Sequence, residues 1–373
     1  MSKRIVLVPF IILFLTTICY AMELNELNIQ FSEDLSLEEV WAEWLDSDDY
    51  FVMVTPDNQV IMETKRVIYP GDQYLTADNL LYEVTEVDQD QHIAYTKLLE
   101  QVELAEHYFS ISQLKTALGL VAVEADESPA TGKIGVYHTH NAESYVPSDG
   151  VDSINGKGGI HEVGKAFADT LEKLGVNVTF AENLHLPHDK GAYRRSRNTV
   201  LKLLAEEPDA IFDIHRDAAP SNAYAALIED EWVTQIQFVV GRQNQNLGIN
   251  RQYAQSLKKI ADQLYPGLVK GIFYGRGNYN QDLTPLNLLL EVGAHTNSKD
   301  AAKRGISLFA EVVDFYFYGP VEERQQNKEW NVWSVIGSKT TIWIIIFLGL
   351  TSIAFYVINA GGWQAAIDRL RRK

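Results

Sequence analysis

The chain has 373 residues, which is room for one large domain, one small domain and terminal segments. Its net charge of −18 at pH 7 argues against a nucleic-acid partner, because phosphate binding depends on clustered Lys and Arg. The single cysteine, Cys19, lies in an apolar N-terminal run, so the rest of the chain has neither a disulfide nor a thiolate metal site. Any metal ion must therefore be held by His, Asp and Glu.

Two apolar segments, one near each end of the chain, predict export and membrane anchoring. Residues 1–21 start with basic residues, continue as an apolar run and reach a small residue, which is typical of a signal peptide or an N-terminal anchor. Residues 340–360 carry no charge and are long enough to cross a bilayer as a helix, after a polar spacer at 319–339. The tail at 361–373 is basic, which indicates a cytoplasmic end. We therefore predict a cell-membrane protein, single-pass or two-pass, with its main domain outside the cytoplasm.

Residues 22–130 are predicted to form a small, mostly-β exported domain and a linker. Short β-leaning runs at 50–55 and 59–64 are separated by a turn signal at Pro56-Asp57-Asn58. This part of the sequence offers no catalytic constellation, so its role is left open.

Residues 131–318 alternate strand and helix patterns, which predicts an α/β domain with a parallel or mixed sheet and helices on its faces. The helical patterns cover residues 163–174, 198–205, 251–264 and 299–318, and the strand patterns cover residues 134–137, 176–180, 210–214, 234–240 and 286–290. We expect this domain to carry the chemistry.

Three of the strand patterns end in imidazole or charged groups. Because the carboxyl ends of parallel strands meet at one edge of a sheet, we expect these groups to converge despite their separation along the chain. The groups are His138, His140 and Glu143 after the first run, His215, Arg216 and Asp217 after the second, and Glu291 after the third.

The residue types at these strand ends suit a hydrolytic zinc site. His140 and Glu143 supply a nitrogen and an oxygen within one turn of chain, and His215 supplies the third ligand. A Zn²⁺ ion held in this way keeps a position for water and lowers the pKa of that water. A carboxylate outside the ligand set must then move the proton, which suits Glu291. By themselves these residues are also compatible with a solvated loop, a core histidine and a surface carboxylate.

Neighbouring residues are predicted to support the site. Asp213 and Asp217 could fix the tautomer of a ligand histidine, and Arg216 could bind a substrate carboxylate or a developing oxyanion. Alternation along the strand points His138 to the same side as His140, as a supporting or substrate-binding group. The other histidines of the domain are interpreted as polar groups of loops, although His161 opens a helix and could approach the site; they are His161, His185, His188 and His295.

Five ordered motifs of this domain together resemble the stage II sporulation protein P family. The motifs are IGVYHTHNAESY at 134–145, VGKAFADTLEKLG at 163–175, YRRSRNTV at 193–200, IFDIHRDA at 211–218 and LLLEVGAHTN at 288–297. The resemblance implies an exported, membrane-anchored protein that degrades peptidoglycan. It also implies a relationship to zinc N-acetylmuramoyl-L-alanine amidases, whose fold is an α/β sheet sandwiched by helices.

The resemblance also implies roles for individual residues and a set of partners. It implies that His140 and His215 are zinc histidines and that Glu291 is the catalytic glutamate. The amidases take their remaining ligand from the start of the following helix, here His161-Glu162, whereas zinc carboxypeptidases take it from H-x-x-E, here Glu143; we prefer Glu143. The implied reaction cleaves the amide between muramic acid and the first stem alanine, with cleavage of peptide cross-links in addition. The implied partners are the lipid bilayer and membrane-bound engulfment proteins, including a glycan-cleaving protein.

Two functions from other classes remain open at this point. The domain could be a catalytically silent peptidoglycan-binding or scaffolding module, or a zinc carboxypeptidase that acts on other peptides. The segment at 340–360 departs from the family pattern, in which anchoring at the N-terminus suffices, and this leaves the partners and sporulation itself open.

Overall fold

A computed structural model describes residues 49–105 and 132–319, together with the isolated positions 357 and 363. The chain divides into two compact units, Met1–Val313 and Asp314–Lys373. Among the described residues no helix combines the length and the apolar character that crossing a membrane requires. The predicted N-terminal signal or anchor, the end of the predicted linker, and nearly all of the predicted spacer, membrane span and basic tail lie outside the described residues.

The described elements follow the predicted alternation after residue 132. The strands are β1 (Phe51–Val54), β2 (Val60–Thr64), β3 (Gln73–Thr76), β4 (Leu80–Asp88), β5 (Ile93–Gln101), β6 (Lys133–Tyr137), β7 (Asn177–Phe180), β8 (Ala210–Asp217), β9 (Ala225–Ile228), β10 (Glu231–Thr234), β11 (Ile236–Gly241), β12 (Val269–Gly275) and β13 (Asn287–Ala294). The helices are α1 (Val146–Asp149), α2 (Ile160–Lys173), α3 (Ala192–Leu204), α4 (Leu247–Leu264) and α5 (Lys299–Tyr318).

Among the described residues, the strands form one eleven-stranded mixed sheet and a separate two-stranded hairpin, β9–β10. The sheet order is β2-β1-β5-β4-β3-β12-β11-β13-β8-β6-β7. Strands β13, β8, β6 and β7 are parallel neighbours, whereas β11 pairs with β13 in the antiparallel sense. The prediction of an α/β fold with a large sheet and helices is confirmed, and the sheet is of the mixed kind.

Strands β8 and β13 lie at the centre of the parallel part. Every residue in both strands is buried, so both of their faces are covered. The sequences of such strands are continuous apolar runs rather than alternations of apolar and polar residues. Helix α2 packs beside them through Phe167, whose ring lies 5.3 Å from that of Phe212 in β8. The helix ends at Lys173, and Gly175 follows two residues later with a φ of +91°, a left-handed conformation that glycine adopts without strain.

The five N-terminal strands continue the same sheet. Strand β3 pairs with β12 in the antiparallel sense, with Leu75 opposite Ile272. At this seam a Cβ on Gly271 would lie 2.4 Å from the Tyr74 hydroxyl, so only glycine allows the two strands to approach in this way. The predicted β-rich segment is thus joined to the α/β part by strand pairing. The domain boundary predicted at residue 130 lies outside the described residues and stays a prediction.

Candidate metal centre

The sheet topology brings the three polar strand ends to one edge. Strands β6, β8 and β13 are parallel neighbours, and Glu291 pairs in register with His215. Because side chains at matched positions of adjacent strands point to the same face, these two residues lie side by side. The segment that follows β6 brings His140 and Glu143 to the same edge. The convergence expected from the sequence is therefore present.

Three buried side chains form a cluster that could hold a metal ion. One ligand atom from each of His140, Glu143 and His215 lies within 4.8 Å of the others. The Nδ1 atoms of both histidines are 3.3 Å from Oε1 of Glu143. Two imidazole nitrogens and one carboxylate oxygen are the donor set of many catalytic zinc sites. The residues present therefore fit a zinc-type ion.

The two histidines are held by groups on the far side of each ring. The Nε2 atom of His215 lies 2.9 Å from Oδ1 of Asp213, and Nε2 of His140 donates to the Asp189 carbonyl at 3.3 Å. Asp213 also accepts hydrogen bonds from the backbone N–H and hydroxyl of Thr139, at 2.8 and 2.7 Å. Such partners orient a metal-binding imidazole and raise its basicity. Both rings consequently present Nδ1 to the centre of the cluster.

The charges around the cluster favour a bound cation. Burial alone would lower the pKa of the His215 imidazole, but the carboxylates of Asp213 and Glu143 outweigh it and raise that pKa well above its usual value. Burial alone would raise the pKa of Glu143, but the His215 imidazole and the hydrogen bond from His140 bring it well below its usual range. The site therefore stabilises positive charge next to two ionised carboxylates.

Glu291 lies in the same cavity but outside the three-residue cluster. The cavity has a volume of about 560 Å³ and is lined by Glu291 together with all three members of the cluster. Oε1 of Glu291 accepts a hydrogen bond from Nη2 of Arg66 at 2.7 Å. Its Oε2 atom is buried and has no hydrogen-bond partner among the described residues. Burial raises the pKa of Glu291 to about 7, against the effect of Arg66.

The structure places only one of the candidate third ligands beside the two histidines. Glu143 is in the cluster, whereas the exposed Glu162 forms an ion pair with Lys299 at 2.6 Å. The ring of His161 lies 4.7 Å from that of His138. The geometry thus favours the H-x-x-E arrangement.

His138 lies just beyond the end of strand β6 and next to helix α2. Its Nδ1 atom donates to the carbonyl of Ile214 at 2.7 Å, and a Cβ on Gly164 of α2 would lie 2.4 Å from its Nε2 atom. Burial lowers the pKa of His138 to about 4, so the ring is neutral. The alternation argument fails because strand β6 ends at Tyr137, one residue before the histidine. His138 thus packs between the sheet and α2, and its predicted role as a supporting or substrate-binding group stays a prediction.

Arg216 and Asp217 connect the site to neighbouring segments. The guanidinium of Arg216 donates to the carbonyls of Ser144 and Asp152, at 3.2 and 2.8 Å, and so holds the loop after Glu143. The carboxylate of Asp217 accepts hydrogen bonds from the hydroxyls of Thr64 and Tyr224, each at 2.8 Å, rather than from a ligand histidine. Both residues also line the cavity, so the substrate-binding role predicted for Arg216 stays open.

The structure places three residues at the site that the sequence analysis did not assign to it. Arg66 comes from the N-terminal strands, which offered no catalytic constellation. His188, interpreted as a loop residue, has its Nε2 atom 3.8 Å from Oε1 of Glu143. The ring of Tyr193 lies 5.2 Å from that of His140. No sequence pattern indicates a role at the site for Arg66 or Tyr193. For His188, only the residue type, histidine, suggested one.

Gly158 fixes the backbone that carries Glu143, which gives a first prediction. A Cβ at position 158 would lie 2.2 Å from the carbonyl oxygen of Glu143 and 2.5 Å from that of Ala142, so the loop must move. We expect Gly158→Ala to lower the free energy of unfolding by about 1–3 kcal/mol and to weaken zinc binding. Urea unfolding and zinc titration would measure the two effects. Gly248→Ala is the control, because no atom of the described residues lies within 4 Å of its Cβ position. Unchanged zinc binding in Gly158→Ala would contradict the prediction.

Comparison with known proteins identifies the family. The family model described as "Stage II sporulation protein P (SpoIIP)" matches residues 63–314. The chain, a mixed α/β protein with a buried His–Glu–His cluster, belongs to the stage II sporulation protein P family. It is 33% identical over 202 residues to stage II sporulation protein P of Bacillus subtilis strain 168. That match covers 49% of this chain and 50% of the relative, so the chain spans about half the length of the curated relative.

Several solved amidases are similar to part of the chain. The N-acetylmuramoyl-L-alanine amidase AmiC2 of Nostoc punctiforme is 14% identical, with 52% of this chain and 98% of that chain covered and a TM-score of 0.31. Ami1 from Mycobacterium smegmatis is 14% identical, with 53% and 100% covered and a TM-score of 0.34. The CwlD amidase from Clostridioides difficile, solved in complex with the GerS lipoprotein, is 14% identical, with 52% and 98% covered and a TM-score of 0.33. TM-scores this low support no conclusion about the activity of this chain.

Proposed function

We propose that this protein is a membrane-anchored, extracytoplasmic, zinc-dependent peptidoglycan hydrolase with an amidase-type α/β sandwich fold. It cleaves the amide bond between N-acetylmuramic acid and L-alanine during cell-wall remodelling, such as engulfment in sporulation. The observation that supports this most is the buried cluster of His140, Glu143 and His215, with Glu291 in the same cavity. Membership of the stage II sporulation protein P family supports the choice of peptidoglycan as substrate.

The proposed mechanism assigns a separate role to each group. Zinc held by His140, Glu143 and His215 would supply Lewis-acid chemistry, polarising the scissile carbonyl and acidifying water. Glu291 takes a proton from the attacking water through its buried Oε2 atom. It then returns that proton to the departing amine nitrogen of alanine. Asp213 keeps the His215 ring oriented, because its carboxylate lies 2.9 Å from Nε2.

The remaining parts of the proposal rest on the sequence. Residues 1–21 and 340–360 hold the protein at the lipid bilayer, and the hydrolase works with membrane-bound engulfment proteins, including one that cleaves glycan strands. Cleavage of stem-peptide cross-links is a second activity of the same centre. Anchoring at the membrane keeps the hydrolase close to the wall that it remodels.

One experiment tests the activity and its metal dependence together. The full-length chain is incubated with purified peptidoglycan, with and without a chelator, and mass spectrometry identifies the released material. We expect free stem peptides that begin with alanine, their loss on chelation, and their return when zinc is restored.

Each of the alternative results would contradict a specific part of the proposal. Binding to the wall without release, even with zinc supplied, would indicate a silent binding or scaffolding module. Release of only C-terminal residues from peptides would indicate a carboxypeptidase. Release that survives the chelator would contradict the metal assignment.

A further inference from the structure

Arg66 is a buried cation that the proposed reaction does not yet use. It lies between β2 and β3 and is separated from Glu291 by 225 residues of chain. Its Nη2 atom is 2.7 Å from Oε1 of Glu291, and the two side chains are 5% and 4% exposed. An ion pair so far from solvent holds its geometry closely, because breaking it would separate two opposite charges inside the protein.

The guanidinium is fixed by contacts on a second side. Its Nη1 atom donates to the hydroxyl of Tyr279 at 3.2 Å, and that hydroxyl donates to the carbonyl of Arg276 at 2.8 Å. The guanidinium carbon also lies 5.2 Å from the centre of the Tyr279 ring. The orientation of the Arg66 side chain is therefore set independently of Glu291.

The two carboxylate oxygens of Glu291 have different surroundings. Oε1 is occupied by Arg66, whereas Oε2 is buried and lacks a hydrogen-bond partner among the described residues. Arg66, Glu291 and the three-residue cluster line the same cavity. A carboxylate that is held through one oxygen cannot rotate freely, so the other oxygen keeps one position relative to the reacting groups.

We infer that Arg66 is a positioning residue that holds Glu291 by Oε1 and leaves Oε2 free to accept the proton of the attacking water. This inference rests on the proposed hydrolytic function. It gives the N-terminal strands a part in the reaction, because they supply a residue that acts through Glu291. Arg66 itself does not touch the reacting atoms in this role.

The test compares Arg66→Gln and Arg66→Lys in the full-length chain, with kcat and KM measured separately on a soluble muropeptide. We expect Arg66→Gln to lower kcat by about 10- to 100-fold, the scale of a small misplacement of a catalytic group, with KM and zinc content nearly unchanged. Arg66→Lys should recover part of the loss, because an ammonium can hold one carboxylate oxygen. Arg251→Gln is the matched control, since Arg251 also pairs with a side chain, Gln73, and lies over a tyrosine ring, but outside the cavity.

A double variant separates positioning from direct action. When Glu291 is already glutamine, Arg66→Gln should cause little further loss, because Arg66 acts through Glu291. If the kcat losses of the two single variants multiply in the double variant, or if Arg66→Gln raises only KM by a large factor, the inference is overturned. Either result would indicate that Arg66 contacts the substrate. Unchanged kcat in an active Arg66→Gln enzyme would also overturn it. If Arg66→Gln does not fold, Arg66→Lys decides, since kcat equal to that of the wild type would contradict the positioning role. An inactive wild-type chain would overturn the proposed function and this inference together.

Discussion

Replacing Glu291 with glutamine should lower the turnover of peptidoglycan by about 10²- to 10⁴-fold, the contribution of a well-placed general base. Glutamine keeps the size of the side chain and can still accept the hydrogen bond from Arg66, but it cannot take a proton. Substrate binding and zinc content should remain, because Glu291 lies outside the metal cluster. The measurement is the rate of stem-peptide release by the purified full-length chain.

The control for this prediction is a glutamate-to-glutamine change far from the cavity. Glu311 is an exposed residue of α5 that interacts with Tyr265, so Glu311→Gln should leave the rate unchanged. Thermal unfolding must accompany the assay, because the substitution removes the carboxylate charge that pairs with the buried guanidinium of Arg66. A folded, zinc-loaded Glu291→Gln enzyme with the wild-type rate would remove Glu291 from the mechanism.

Loss of the Glu143 carboxylate should have the largest effect on zinc binding. Oε1 of Glu143 lies 3.3 Å from the Nδ1 atoms of both His140 and His215, and Oε2 accepts the backbone N–H of Arg216 at 2.9 Å. Glu143→Gln retains the backbone hydrogen bond and removes the charge. We expect zinc affinity to fall by more than the roughly 10- to 100-fold that loss of an outer partner costs. Activity at limiting zinc should disappear with it.

Glu162→Gln is the matched comparison, because Glu162 was the other candidate for the third ligand. It is exposed and paired with Lys299, so its substitution should change zinc affinity less than about twofold. Competition with a chromophoric chelator measures both variants. The opposite ranking, with Glu162→Gln weakened and Glu143→Gln intact, would show that the ligand set follows the pattern of the amidases instead.

The convergence of the site could be predicted from sequence because it depends on regular features. Continuous apolar runs indicated the buried strands that carry His215 and Glu291 near their carboxyl ends, and the topology of parallel strands placed these residues together. The H-x-x-E spacing of His140 and Glu143 needed only local chain geometry. Periodicity and topology therefore sufficed for the core of the cavity.

The remaining features depend on contacts that produce no recognisable pattern in the local sequence. The pairing of Arg66 with Glu291 joins distant segments, and nothing near Arg66 distinguishes it from a surface arginine. The sequence analysis also missed strand β12, whose apolar residues are interrupted by Lys270, Gly271 and Gly275. The alternation argument for His138 depended on where β6 ends, and element boundaries are the least certain part of a sequence pattern.

The joining of the N-terminal strands to the main sheet has a consequence for how the site comes into existence during folding. The contacts Thr64–Asp217 and Arg66–Glu291 close loops of 153 and 225 residues, and strand β3 finds its partner only after β12 has been made. Contacts between residues so far apart form slowly, because the entropy of loop closure is lost before they stabilise the chain. A partly synthesised chain that ends before Glu291 therefore cannot assemble the cavity. The order in which the chain is synthesised thus delays the formation of this cavity until nearly the whole described sheet is present.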